Sequence, residues 1–367
     1  MGMTVIELVA GLALLVLGAE LLVRGASQLA KAVGLPSLVV GLTVVAFGTS
    51  APEFAVSLKA SLAGQSDIAL GNVVGSNTFN VLVILGLSAL VMPLAVSSQL
   101  IRFDVPVMIG VSAAVWLAAL DGDISRTEGV LLLGGLVVYT AVLIVAGLRK
   151  NGAATAGPGW PGDPAPHKTS HLIVSAVLVL AGLGMLVLGS RWLVGGATAV
   201  ARALGISELV IGLTLVAAGT SLPELATSVI AAMRRERDIA VGNIVGSNIF
   251  NLLAVLGGAA AVGGRVEAAP AAAHFDLPVM VAAAMVCLPI FFTGGRVCRW
   301  EGATLLAYYA AYTLYMFLAA SGNHAVPALG AAILWFFLPG TGLGIGLSVL
   351  YTLRERRRRR ADRATPP

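Results

Sequence analysis

Apolar residues fill long uninterrupted stretches of this chain, and most polar residues collect between those stretches rather than alternating within them. Crossing ~30 Å of hydrocarbon takes ~20 apolar residues at 1.5 Å per residue, and the stretches reach that length. The pattern predicts helices over 4–23, 37–60, 68–90, 105–120 and 128–147. After a break come 171–194, 207–231, 239–260, 277–293 and 301–318, with an eleventh helix at 326–352. The break, Asn151–His167, is rich in Gly, Pro and Ala and has no apolar periodicity, so it reads as a linker. The first stretch lacks a basic leader and an Ala-x-Ala cleavage site, and is expected to be a mature helix.

The polar exceptions inside the apolar stretches repeat. Gly41-Leu-Thr-Val-Val-Ala-Phe-Gly-Thr-Ser-Ala-Pro-Glu53 returns as Gly212-Leu-Thr-Leu-Val-Ala-Ala-Gly-Thr-Ser-Leu-Pro-Glu224, and Gly71-Asn-Val-Val-Gly-Ser-Asn-Thr-Phe-Asn80 returns as Gly242-Asn-Ile-Val-Gly-Ser-Asn-Ile-Phe-Asn251. Phe103-Asp-Val-Pro-Val-Met108 matches Phe275-Asp-Leu-Pro-Val-Met280, and the offset drifts only from 171 to 173. Each copy is five helices long. An odd number of spans followed directly by its copy places that copy upside down, which gives inverted repeats about an axis in the membrane plane. The expected fold is therefore an all-α polytopic membrane protein of 11 spans: a first repeat over 1–148, a cytoplasmic linker over 149–170, an inverted repeat over 171–320, and an extra C-terminal helix with a basic tail over 321–367.

Composition agrees. Of 367 residues 58% are hydrophobic and 11% charged, against roughly a quarter charged in a soluble domain. The net charge of +5 does not point to nucleic acid, because seven arginines lie in the tail Arg354–Arg363, where they read as a cytoplasmic anchor. With the N-terminus outside, eighteen basic residues fall inside and five outside, and without the tail the ratio is still eleven to five. The two cysteines, Cys287 and Cys298, have no metal spacing, and the histidines lack a His-x-x-His pattern, so a transition-metal site is disfavoured.

A carboxylate at membrane depth normally faces a cavity, a partner or an ion. Inversion brings Glu53 and Glu224 together near the midplane, where two carboxylates repel unless a cation lies between them. Pro52 and Pro223 lack an N–H and crowd the carbonyls of Gly48 and Gly219. The helix is expected to open at Gly48-Thr49-Ser50 and Gly219-Thr220-Ser221, freeing carbonyls such as those of Ala46 and Ala217. Ser76 and Asn80 share a helix face, as do Ser247 and Asn251, and are expected to be lateral ligands. Asn72 and Asn243 lie one turn earlier on that face, whereas Asn77 and Asn248 are expected to point elsewhere. Carbonyl, hydroxyl and carboxylate oxygens converging on one point suit a hard cation such as calcium. Asp67, Asp238, Asp104 and Asp276 are expected to cap helix starts, and Glu20 has no acidic counterpart because Arg191 takes its place.

These paired motifs resemble the cation/calcium exchanger superfamily, in particular its prokaryotic sodium/calcium exchanger branch, over about residues 4–318. The resemblance implies ion sites on the second, third, seventh and eighth helices, with the long first and sixth helices sliding to alternate access. Its ligands fall on Ala46, Thr49, Ser50, Glu53, Ser76 and Asn80, and on Ala217, Thr220, Ser221, Glu224, Ser247 and Asn251. Asparagine at both 80 and 251 leaves a formal site charge of −2, which argues against a potassium requirement. The run Gly71-Asn-Val-Val-Gly75 lacks the acid that the proton-coupled branch carries on its third helix. The expectation is a sodium/calcium antiporter of a prokaryotic cytoplasmic membrane, with no cofactor, with Na+, Ca2+ and in an alternative reading H+ as transported ions. Its partners are inorganic cations and lipids, and its assembly a monomer or weak homo-oligomer. A proton-coupled or other divalent antiporter is the nearest alternative. A cation channel is disfavoured by the absence of acidic rings, and an enzyme by the absence of a nucleophile and base.

Overall fold

Long apolar runs punctuated by Gly, Pro and short polar turns fold in the computed structural model into a bundle of membrane-length helices. The structure describes residues 2–155, 169–204 and 217–321, with isolated positions beyond. The helices are α1 (Gly2–Val33), α2 (Ser37–Thr49), α3 (Ala51–Leu62), α4 (Ser66–Val91), α5 (Leu100–Asp121), α6 (Arg126–Thr155) and α7 (Thr169–Ala203). The short turn α8 (Ala217–Gly219) leads into α9 (Leu222–Met233), followed by α10 (Arg237–Gly263), α11 (Ala272–Phe292) and α12 (Arg299–Ala320). Among the described residues eight helices are long and apolar enough to cross a membrane, or nine with α2 and α3 as one bent span. The start of the predicted seventh helix, most of the eleventh helix, the basic tail and most of the linker lie outside the described residues.

The first and sixth predicted helices are much longer than their apolar runs, at 32 and 35 residues. Packing explains the excess. Gly11, Gly18 and Gly25 on α1, and Gly182, Gly189 and Gly196 on α7, recur every seven residues and all face the opposite helix. A Cβ on Gly182 would sit 2.6 Å from Leu22 N, and one on Gly11 2.7 Å from Leu193 N. Only glycine lets two backbones approach this closely. Gly11 meets Gly189 while Gly18 meets Gly182, so the helices run antiparallel.

α4 and α10 occupy the centre. The apolar window of α10 is wholly buried and that of α4 largely so, whereas α1 and α7 expose most of theirs. Both central helices change to π-helical turns at matching places, Asn80–Leu85 and Asn251–Leu256.

Two short antiparallel ladders join the halves. β1 (Leu94–Ala95) pairs with β4 (Arg296–Val297), and β2 (Asp123–Ser125) pairs with β3 (Arg265–Glu267). Leu94 opposes Val297, and their repeat mates Val266 and Ile124 also oppose each other. One ladder is thus the twofold image of the other. β1, β4 and the Arg234–Asp238 turn mark one end of the bundle, the basic face; β2 and β3 mark the opposite face.

Two expectations are corrected. Asp104 and Asp276 do not cap helix starts, since each lies a turn inside its helix and accepts a hydrogen bond from a tyrosine, Tyr139 at 3.0 Å and Tyr312 at 2.9 Å. The π-helical turns Leu100–Asp104 and Ala272–Asp276 extend these helices toward their N-termini and carry the carboxylates inward. Asp67 and Asp238 lie in the first turn, and the N-cap positions belong to Gln65 and Glu236. They still face the positive end of the helix dipole.

Substituting Gly182 or Gly189 by Leu should wedge α1 from α7 and destabilise the protein by about 1–3 kcal/mol or more, read as a melting temperature lowered by several degrees in detergent. Gly184→Ala, where an added Cβ meets nothing within 4 Å, should melt with the unsubstituted protein.

Candidate functional site

The membrane-spanning chain breaks where proline forbids it to continue. Ser50 and Ser221 leave helical geometry in the same way, at φ −83°, ψ 7° and φ −89°, ψ 7°. Pro52 and Pro223 take the second position of the new helix, where a missing N–H does no harm. α2 and α3 meet at 47°. Glu53 and Glu224 therefore fall in the first turn of α3 and α9, where the helix dipole favours a carboxylate.

The two breaks are stitched together across the approximate twofold. Ser50 Oγ donates to Glu224 Oε1 at 2.9 Å, and Ser221 Oγ donates to Glu53 Oε1 at 3.0 Å. Each motif's serine thus holds the other motif's acid. Thr49 Oγ1 lies 3.1 Å from Asn243 Oδ1, and Thr220 Oγ1 lies 3.4 Å from Asn72 Oδ1. Those asparagines in turn donate to Ser228 and Ser57, both at 2.9 Å, and to the backbone carbonyls of Glu224 and Glu53. Asn72 and Asn243 are braces that lock each broken helix to the central helix beside it.

What remains unpaired is the informative part. The second carboxylate oxygens of Glu53 and Glu224, the hydroxyls of Ser76 and Ser247, and the Oδ1 atoms of Asn80 and Asn251 are all buried and make no hydrogen bond. Their residues are at most 2% exposed. Burying a polar oxygen without a partner costs roughly 1–3 kcal/mol, more for a charged one. Six of the buried unpartnered atoms fall in three twofold-related pairs, all oxygens and bearing two formal negative charges, a donor chemistry that suits a hard cation.

The backbone departs from expectation. Ala46 O is not freed by the break, because it accepts Ser50 N–H at 3.0 Å. The missing proline N–H falls opposite Gly48, four residues before Pro52, and leaves the Ala46 bond intact. In the second copy Ser221 N–H donates to Ala218 O at 3.2 Å, one residue later than the corresponding position. Thr49 Oγ1 also lies 3.4 Å from Ala46 O, so a cation contact from this carbonyl would displace that hydroxyl.

The chain matches the family described as sodium/calcium exchanger protein over residues 3–145 and 174–318. It belongs to the sodium/calcium exchanger family. The exchanger is 40% identical over 272 residues to the putative antiporter CaxA of Alkalimonas amylolytica, covering 73% of this chain and 84% of that one. It is 31% identical over 297 residues to the sodium/calcium exchanger MaX1 of Methanosarcina acetivorans, covering 72% and 85%. A solved structure of the sodium-calcium exchanger NCX_Mj superimposes with a TM-score of 0.71 at 31% identity, over 87% of this chain and 98% of that one.

Asn77 and Asn248 do not point away from the exchanger's polar cluster. Asn251 Nδ2 donates to Asn77 Oδ1 at 3.1 Å, and Asn80 Nδ2 reaches Asn248 Oδ1 at 3.5 Å. Each asparagine of one half orients its partner in the other, turning the free amide oxygen inward. Their recurrence in both copies was the available signal. Helical spacing within one copy misplaced them, because their contacts cross between copies.

Asn77→Ala removes the acceptor that orients Asn251. It should weaken cation binding by about tenfold, the low end for loss of an outer-shell partner, while circular dichroism stays unchanged; calcium titration of the purified protein checks this.

Proposed function

We propose that this exchanger moves sodium and calcium in opposite directions through a midplane site built from Glu53, Glu224, Ser76, Asn80, Ser247 and Asn251. Thr49, Ser50, Thr220, Ser221 and the carbonyls of Ala46 and Ala217 complete the lining. The observation that carries this reading is the set of six buried, unpartnered oxygens in twofold-related pairs. Their two carboxylates match the charge of one divalent ion or of two monovalent ones.

Exchange rather than leak follows from electrostatics. A filled site is neutralised and can be sealed from water on both sides, whereas an empty site holding two carboxylates resists the loss of its hydration. The protein therefore changes its open side only when loaded. Sodium entering down its gradient would drive calcium outward. If more sodium charge than calcium charge crosses per cycle, the membrane potential contributes ~2.3 kcal/mol per net charge per 100 mV. Relatives named as a putative antiporter and as a sodium/calcium exchanger support exchange of these ions.

The distribution of basic residues supports placing the basic face, with the linker and tail, in the cytoplasm and the N-terminus outside. The membrane is then the cytoplasmic one; a relative from Escherichia coli, 39% identical over 208 residues, carries the name inner membrane protein YrbG.

The test is calcium-45 uptake into proteoliposomes loaded with sodium, with proton and potassium gradients as controls. Sodium-driven uptake is expected, and Glu53→Gln or Glu224→Gln should abolish it without lowering the melting temperature. Transport retained at normal affinity in either variant would refute the site. Uptake that follows pH and ignores sodium would move the protein to proton coupling.

A further inference from the structure

Inverted repeats contain their own control. Where the two halves carry different residues at matching positions away from the midplane, the difference lies on opposite sides of the membrane and can act on the two faces unequally. Thr227 is such a position. It lies one turn beyond Glu224 on α9, toward the basic face; 171 residues earlier, one turn beyond Glu53 on α3 toward the opposite face, stands Val56.

The two positions also differ in setting. Thr227 is fully buried and its hydroxyl makes no hydrogen bond, whereas Val56 is 39% exposed. α1 packs along α9 and covers it. Ser228, the next residue, is held by Asn243, as Ser57 is held by Asn72, so the braces are equal in both halves and the threonine hydroxyl is the addition. An unpartnered hydroxyl in a dry interior destabilises the arrangement that buries it. When the halves exchange roles, α9 takes on the exposure that α3 has here, and the hydroxyl is uncovered one turn from Glu224.

We infer that Thr227 is a positioning residue for cations entering and leaving on the basic face alone. Its hydroxyl offers an oxygen between the carboxylates and that face, and its burial without a partner disfavours the arrangement closed to that face. Both effects act in one direction: they raise the apparent affinity for cations presented from the basic face. The opposite face has no equivalent, because valine has no oxygen to offer. This inference rests on the exchange reading proposed above.

The test uses the full chain in right-side-out and inside-out vesicles, with calcium-45 as probe and sodium as counter-ion, comparing half-saturation from each face. Thr227→Val keeps the side-chain shape and removes a buried unpaired group, so folding is not endangered. It should raise half-saturation several-fold from the basic face and leave it unchanged or lowered from the other, and Thr227→Ser should restore the original value. Val56→Thr should lower half-saturation from the opposite face. Equal shifts from both faces, or none in either variant, would overturn the inference. Absence of sodium-driven exchange in the unsubstituted protein would remove the exchange reading and this inference with it, whereas intact exchange with symmetric variants removes the inference alone.

Discussion

Two carboxylates facing each other inside a bilayer are the constraint on which the rest depends. Both are buried away from bulk solvent, and each repels the other. The structure divides each carboxylate: one oxygen is tied by the serine of the opposite repeat, Ser221 for Glu53 and Ser50 for Glu224, and the second is left without a protein partner. The tied oxygen fixes where the free one points. Because each tie crosses between halves, neither half can orient its own carboxylate alone, and the separation of the carboxylates is set by how the repeats meet.

That requirement propagates outward. Close approach of the repeats needs the glycine seam of α1 and α7 and the ladders that close each end in mirrored register. It reaches even residues that would not choose their backbone. The turn before α4 uses Gly64 at φ +72°, a left-handed conformation that glycine adopts freely; its mate before α10 is Arg235, held at φ +63°. The duplicated turn imposes its geometry on a residue type that disfavours it, by an amount of order 1 kcal/mol.

Much of this was legible in the sequence, for a physical reason. Proline, glycine and a buried acid are local signals: each dictates backbone or desolvation consequences wherever it stands, so the broken helices, the acid pair and the buried Ser and Asn face of each central helix could be placed from spacing alone. Features that arise between segments could not. The lengths of α1 and α7 come from their contact with each other, the inward turn of Asn77 and Asn248 comes from the opposite repeat, and the burial of Asp104 against Tyr139 joins helices that a linear reading treats separately. The Ala46 carbonyl is a different matter: the hydrogen bond lost to Pro52 belongs to Gly48, and the four-residue reach of the helical bond leaves Ala46 paired with Ser50.

Perfect inversion would make the inward-open and outward-open states equal in energy, so any preference must come from positions where the repeats disagree. The described residues show a second disagreement at the basic face. Glu20 on α1 forms a two-point ion pair with Arg234, at 2.5 and 2.8 Å, and Ser27 donates to Glu236 at 2.9 Å. At the matching positions Arg191 and Ala63 replace Glu20 and Arg234 and carry no acid between them, and Thr198 and Gln65 replace the serine and its carboxylate acceptor with two neutral side chains. Arg234 is half exposed, so the pair is worth only about 0.2–1 kcal/mol. Even that shifts a balanced two-state equilibrium by up to roughly fivefold, since 1.4 kcal/mol is a factor of ten. The tie between α1 and the turn before α10 favours keeping the basic face closed, whereas the unpartnered Thr227 hydroxyl beneath α1 opposes it. In the proposed cycle the resting preference is a small difference between two such terms, which is the condition under which ion loading, rather than the scaffold, decides which face is open.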